Sequence, residues 1–403
     1  MTYLFLVLYL IEIFIIVSFE KKIWGTFLTP TIFLVVPFTF VSLTAVFVPS
    51  VFGFFPIYWK IIYIYCIGTF TFWLPSILIY KLFNNVEKYK FKLSKINDKI
   101  ENFKFIKQLT LILLIISYYY FIKYGIKYGI GTDDFIIHYN LGISAHVNLC
   151  LRFLIILFIF NVRSKDYVLW IYIVLILFTG LVTASKGWVF IPLLSGLIMR
   201  ILYKKLRFKI NVFRIIYIFL FVFIIFFISY YFTVGRYYDI FLYIKFLLKH
   251  ILFYLISGIV SFSENIKNLN LYALDESYIF TPIVNVYNFI FNHEIKSTVS
   301  NIYTVVNVDG RISNVNTLFG TIYIYSGYFY GFLSILFFSL LYYFMLFFVI
   351  LKHNIILLSV YVLLLTFLLF SWFDLYFANL GFYEIPFWGI CFYVISKFRI
   401  SKT

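Results

Sequence analysis

Three cations in this chain sit where they could grip an anion. Lys186 is the only charge in Thr183-Ala184-Ser185-Lys186-Gly187, a short turn between two apolar runs. Arg236 directly follows a long apolar stretch in Val234-Gly235-Arg236-Tyr237. Arg311 lies in Asp309-Gly310-Arg311-Ile312-Ser313-Asn314, just ahead of another. A guanidinium binds phosphate oxygens through paired N–H groups, whereas lysine acts as a point charge. Placed at a bilayer edge, the three suit a lipid-linked diphosphate. Each is equally compatible with a cation that snorkels to lipid headgroups.

Groups that could move protons lie in the same part of the chain. Lys245 and Lys249 are four residues apart and share a face if the segment is helical. His250 follows them, and an imidazole near neutral pH can shuttle protons. Glu264, in Ser261-Phe262-Ser263-Glu264-Asn265, is a candidate base for a hydroxyl. His138, His146 and His293 read as solvated or satisfied side chains. Asp133-Asp134 and Asp275-Glu276 could bridge a divalent metal through oxygen ligands, but they read more simply as solvated loop tips, and no metal is expected. No phosphate-binding Walker loop, His-Glu-x-x-His helix or Gly-x-Ser-x-Gly elbow is present.

The elements that must position these groups are set by composition. Of 403 residues, 64% are hydrophobic and only 12% charged, and mean hydropathy is +1.00. A soluble domain carries about 25% charged residues, so a soluble globular fold is excluded. The net charge of +17 would point to nucleic acid in a soluble protein. Here the cations fall in short gaps between apolar runs and form no continuous basic face, so no nucleic-acid partner is expected. Cys66, Cys150 and Cys391 lie in or beside apolar runs, without metal or disulfide spacing. The first apolar run lacks a basic leader and a cleavage site, and reads as a retained span.

A helical span needs about 20 apolar residues. Spans are expected near 2–19, 27–48, 60–80, 108–124, 146–161, 167–184, 187–203, 212–234, 325–350, 355–373 and 385–397. The fold class is therefore an all-α polytopic integral membrane protein with about eleven helices, or twelve if one span escapes notice. The gaps alternate in charge. Lys81–Lys107 carries eight lysines against Glu87, Asp98 and Glu101, and Lys204–Arg214 carries five basic residues and no acid. Gly235–Val315 balances six basic residues against six acidic ones. Cytoplasmic loops retain Lys and Arg, so 81–107 is assigned to the cytoplasm and 235–315 to the exported side. The whole chain reads as one polytopic domain with that single large exported loop. Within the loop, Tyr238–Phe262 is apolar but has lysines in its middle, which favours an amphipathic helix on the outer leaflet over another span.

Three short stretches resemble the bacterial oligosaccharide repeat-unit polymerases, the Wzy-type O-antigen and capsule polymerases. Thr183-Ala184-Ser185-Lys186-Gly187 is similar to their Ser-Arg-Gly turn, with Lys in place of Arg. Tyr254-Leu255-Ile256-Ser257-Gly258-Ile259-Val260-Ser261-Phe262 resembles a Tyr-x-x-(Ser/Thr)-Gly-x-x-x-Phe stretch. Asn314-Val315-Asn316-Thr317-Leu318-Phe319, followed by Gly327 and Gly331, is similar to an Asn-x-x-Thr-x-Phe run entering a glycine-containing span. Tyr325-Ser326-Gly327 departs from the Asp-Phe-Gly often found there, and the glycine spacing is one residue longer.

The resemblance implies an enzyme of the bacterial cytoplasmic membrane that makes lipopolysaccharide or capsule. It would transfer a growing glycan from undecaprenyl pyrophosphate onto a lipid-linked repeat unit, without a cofactor. Catalysis would fall to Arg236, Arg311, Glu264 and His250. Lys186, Lys245, Lys249, Tyr254, Asn314 and Thr317 would bind diphosphate or glycan. Membrane lipids, a chain-length regulator and other assembly proteins would be its partners. A flippase for lipid-linked oligosaccharide and an O-antigen ligase are the competing readings.

Overall fold

The computed structural model describes residues 1–47, 53–82, 91–97, 99–183, 186–203, 224, 227, 230–231, 239–268, 274–297 and 302–397. Thirteen helices account for most of them. These are α1 Thr2–Trp24, α2 Pro30–Phe47, α3 Trp59–Leu82, α4 Phe103–Tyr128, α5 Asp133–Tyr139, α6 Gly142–Asn161 and α7 Tyr167–Val182. They continue as α8 Lys186–Leu202, α9 Ile240–Asn268, α10 Thr281–Ile290, α11 Leu318–Lys352, α12 Ile355–Phe370 and α13 Leu380–Lys397. The described β structure is a hairpin, β1 Thr304–Val305 against β2 Ile312–Ser313, plus two isolated bridges.

Six helices (α1, α2, α3, α4, α6 and α11) are long and apolar enough to cross a membrane. The number rises to seven if Ile240–Ile251 and Phe253–Lys267 of α9 form one broken span. Tyr167–Val182, Gly187–Leu202 and Ile355–Phe370 are apolar but shorter. The expected span at 212–234 lies almost wholly outside the described residues, as do much of the basic 81–107 stretch and Arg236. The exterior of the long helices is itself apolar. Leu4, Val7, Ile11 and Phe14 of α1 are all exposed, an arrangement that water disfavours and lipid does not.

The chain divides into two compact units. The first comprises Met1–Lys92, Ile251–Lys352 and Leu364–Tyr383; the second comprises Leu93–His250, His353–Leu363 and Glu384–Thr403. In the first, α3 packs chiefly on α11 and α1. Polar groups join these helices from within. The buried Glu20 accepts a hydrogen bond from Ser76, which in turn accepts one from the Trp24 indole at 2.9 Å. Thr31 and Tyr343 share a hydrogen bond of 2.5 Å. Glu12, within the apolar run of α1, accepts one from Thr69 of α3 at 2.9 Å. In an apolar surrounding, such bonds supply what water would otherwise provide.

Helix α11 is broken at Gly327, where φ is 66° and ψ −165°, a conformation open mainly to glycine. A break leaves the preceding carbonyls without intrahelical donors. The backbone N–H groups of Leu274 and Asp275 occupy them, bonding Ile324 O at 3.5 Å and Tyr325 O at 3.2 Å. The chain after α9 is thereby pinned to the kink, and Tyr278 stacks on Tyr325 at 3.9 Å.

The helix expected over Tyr238–Phe262 is present as α9, but its second half does not lie on a surface. Ile256 through Ser263 are buried within the first unit. The reason is the small residues Ser257, Gly258 and Ser261, which let other backbone segments approach closely. Lysines at 245 and 249 drew attention to amphipathicity in the first half and hid this packing face.

In the second unit α6 packs chiefly on α8 and α4, and almost every residue of α6 from Val147 to Phe160 is buried. His146 of α6 bonds Glu384 at 2.9 Å. Ser117, Tyr139 and Asn148 form a buried triangle of hydrogen bonds.

Candidate functional site

Two of the three sequence stretches meet in the first unit. Along α9, Ser257, Gly258, Ser261, Phe262 and Asn265 recur at helical spacing and form one face. The segment 314–320, entering α11, lies against that face. A Cβ on Gly258 would come within 3.1 Å of Phe373 O and 3.4 Å of Thr317 Cγ2. One on Gly320 would meet the Phe262 ring at 2.7 Å. Both glycines are needed for the contact itself.

Polar bonds hold the junction. The buried Asn316 Oδ1 accepts from Ser261 Oγ at 2.8 Å and from Asn265 Nδ2 at 2.8 Å. Asn265 Oδ1 in turn accepts from Thr304 Oγ1 at 2.9 Å. The Asn316 amide N–H groups are buried and have no acceptor. Thr317 is the N-cap of α11, its hydroxyl accepting from Gly320 N–H at 3.2 Å and from Tyr65 OH at 3.3 Å. Its φ is +61°, left-handed backbone that a β-branched residue adopts at a cost of about 1–3 kcal/mol. A strained cap beside an unsatisfied buried amide is a pattern found at functional sites more than at structural ones.

The loop after α12 completes the junction. Leu318 N–H donates to Ser371 O at 2.8 Å, and Tyr254 packs on Phe373 with ring centres 5.2 Å apart. Asp374 follows and is only partly exposed. One of its oxygens accepts from Leu375 N–H at 2.7 Å, and no cation pairs with it among the described residues. Burial pushes its carboxyl up to about 6. The phenols of Tyr278 and Tyr376 lie near it, and burial followed by the carboxylate's own charge raises both. A carboxyl poised near neutrality beside hydroxyl-bearing side chains can accept a proton from a bound alcohol.

The other expected residues of this unit sit at the far end of α9. Glu264 is paired with Lys267 at 2.6 Å, and Lys267 also donates to Pro56 O at 3.1 Å. Tyr58 N–H donates to Ser263 Oγ at 2.7 Å, so residues 53–58 are stitched onto the helix. The same segment bonds the β-hairpin through Phe55 N–H to Val306 O. Arg311 lies in that hairpin. Its N–H donates to Asn307 Oδ1 at 2.8 Å, while its guanidinium has no partner among the described residues. Asn314, between the hairpin and Asn316, is partly exposed.

Asp275, one of the paired carboxylates, accepts from Ser277 and from Lys296 at 2.9 Å. Burial alone would raise it, but those bonds hold it below its ordinary range. It is a cap for the turn at Glu276–Phe280. Among the described residues no group of three His, Cys, Asp or Glu is placed to hold a metal.

The remaining candidates belong to the second unit. Lys245 and Lys249 are exposed on the first half of α9. His250 shares a 2.5 Å hydrogen bond with Tyr230 and stacks on Phe246. Lys186 begins α8, and its side chain lies outside the description, as does Arg236 entirely. Asn316 and Asp374 were missed by sequence reasoning. Asp374 carried a signal, since it and Glu384 are the only acidic residues after Asp309. Glu12, an acid inside an apolar run, was equally visible.

Apolar helices fit to cross a bilayer, wrapped around a polar junction with strained and unsatisfied groups, define a helical protein of membrane type. A family of proteins of unknown function, DUF6337, matches residues 53–402, and the chain belongs to it. No curated protein and no solved structure matches the chain.

Proposed function

We propose that this protein is a polysaccharide polymerase of the bacterial cytoplasmic membrane. It moves a growing glycan from undecaprenyl diphosphate onto a lipid-linked repeat unit at the outer face, for lipopolysaccharide or capsule. The observation that carries the reading is the meeting of the Tyr254–Phe262 and Asn314–Phe319 stretches. These are the segments through which the chain resembles such enzymes, and they enclose Thr317, Asn316 and Asp374.

In the reaction, an acceptor hydroxyl oxygen forms a bond to the donor's anomeric carbon. The bond from that carbon to the diphosphate oxygen breaks, and undecaprenyl diphosphate leaves with the electron pair. Asp374 takes the hydroxyl proton, a role for which it is freer than the ion-paired Glu264. Negative charge grows on the leaving diphosphate, and preorganised cations stabilise it. Arg311, its guanidinium unengaged, is suited to that task, with Arg236 assigned beside it from sequence. Tyr254 and the exposed aromatics near it offer faces for sugars. Eleven spans with 235–315 exported remain the topology that places these groups outside.

One feature favours a second reading, a flippase for lipid-linked oligosaccharide. Transporters place ionisable residues and broken helices inside the membrane, and Glu12 and the break at Gly327 fit that habit. Deleting the gene separates the two. Surface glycan limited to one repeat unit supports the polymerase, whereas repeat units retained on the cytoplasmic face support the flippase and sink the polymerase.

A further inference from the structure

The second unit contains a cation that no described residue neutralises. Arg152 lies in the middle of α6, between the buried Leu151 and Phe153. Its guanidinium sits over the Trp188 ring, 5.7 Å from the ring centre. Among the described residues it has no hydrogen-bond acceptor and no carboxylate partner. An unpaired charge in an apolar helix is costly and is retained when something pairs with it in use.

The surroundings say what that is. Arg152 lines a small cleft with Tyr139, Asn148, Thr183 and Trp188. Asn148 Oδ1 is occupied, accepting from Ser117 Oγ at 2.8 Å and from Tyr139 OH at 3.2 Å. Its amide N–H groups are thereby left to donate. Trp188 and Val189 belong to the first turn of α8, where backbone N–H groups have no intrahelical acceptor. The wall therefore presents donors from two helices, with an arginine at the centre and no acid. Such a surface matches an anion with several oxygens, and phosphate above all. The enclosed space holds about one water molecule, so the site takes a headgroup at its mouth and not a sugar.

We infer that Arg152, Asn148 and the first turn of α8 bind a phosphate or diphosphate group presented beside Trp188. The identity of its carrier as a polyprenyl lipid rests on the function proposed above; the anion site itself does not. Lys186, which opens α8, is the residue singled out from sequence for the same ligand.

The test uses the full chain in detergent, titrated with inorganic diphosphate and, separately, undecaprenyl diphosphate. Emission attributable to Trp188 is the signal, isolated by subtracting a Trp188→Phe variant. A saturable change is expected, weakened about ten- to hundredfold by Arg152→Gln. Arg152→Lys should weaken it less, because an ammonium keeps the charge but not the forked geometry. Unliganded Arg152→Gln should melt no lower than the parent, since it loses an unpaired charge and no partner.

Equal binding of the two ligands assigns recognition to the headgroup alone; binding of the lipid only assigns it to a carrier in the bilayer. Absence of binding to the parent protein overturns the site. So does unchanged affinity in Arg152→Gln, most plainly if that variant also melts lower, which would make the arginine structural. Because binding is measured and not polymerisation, this result and the fate of the polymerase reading are independent.

Discussion

Removing the Asn316 side chain tests the junction at its centre. In Asn316→Ala the Ser261 hydroxyl and the Asn265 amide both lose a buried acceptor now 2.8 Å away. A stranded buried donor costs about 1–3 kcal/mol, and the loss of Asn316's own unsatisfied amide returns a similar amount once. The expected net destabilisation is about 1–4 kcal/mol, measured by unfolding in mixed detergent–SDS micelles. Ser261→Ala and the double variant close a thermodynamic cycle, with a coupling of about 0.5–3 kcal/mol for residues in one network. Asn316→Ala should also shorten the glycan in cells where the protein remains at normal abundance. Additive effects, or a stabilised single variant, would refute the bonded junction. Normal chain length together with the expected destabilisation would leave a structural junction and remove it from the site.

Other consequences can be checked separately. The Asp374 carboxyl is raised, so the folded state holds its proton more tightly than the unfolded chain between pH 4 and pH 6. Stability should therefore be highest below pH 4 and fall as pH rises to about 6, by at most about 3 kcal/mol, and Asp374→Asn should flatten that slope while abolishing chain growth. Arg311→Ala should shorten chains without lowering the melting temperature, because its guanidinium has no partner among the described residues to lose; unchanged chains would remove it from the site. Thr317→Asn keeps a capping oxygen and tolerates left-handed backbone, so it should melt at an equal or higher temperature, and Thr317→Val should cost about 1 kcal/mol or more through the lost cap. A topology reporter fused near residue 280 should be active only on the exported side, and cytosolic activity would invert the arrangement of the site.

The helical, membrane-type character was legible because apolar run length and the scarcity of charge are local properties of the chain. Helices α1, α2, α3, α4, α6 and α11 follow directly from such runs. What the helices do to one another was less so. Ser257, Gly258 and Ser261 were noticed as letters of a motif, but a small-residue face becomes a packing surface only when a partner such as Phe373 or Thr317 is known. Lysines 245 and 249 made all of α9 look like a surface helix, although they govern only its first half. Asp374 resembled any loop acid until burial beside Tyr278 and Tyr376 distinguished it. Asn316 was passed over for its neighbours Asn314 and Thr317, since a hydrogen-bond network across 50 residues leaves no periodic trace.

The most direct test of polymerisation is reconstitution. The purified protein in liposomes is supplied with a synthetic undecaprenyl-diphosphate-linked repeat unit, and glycan length and released undecaprenyl diphosphate are measured together. A ladder of lengths, with one carrier released per new glycosidic bond, is the expected result. Repeat units that cross the bilayer but stay single would contradict it.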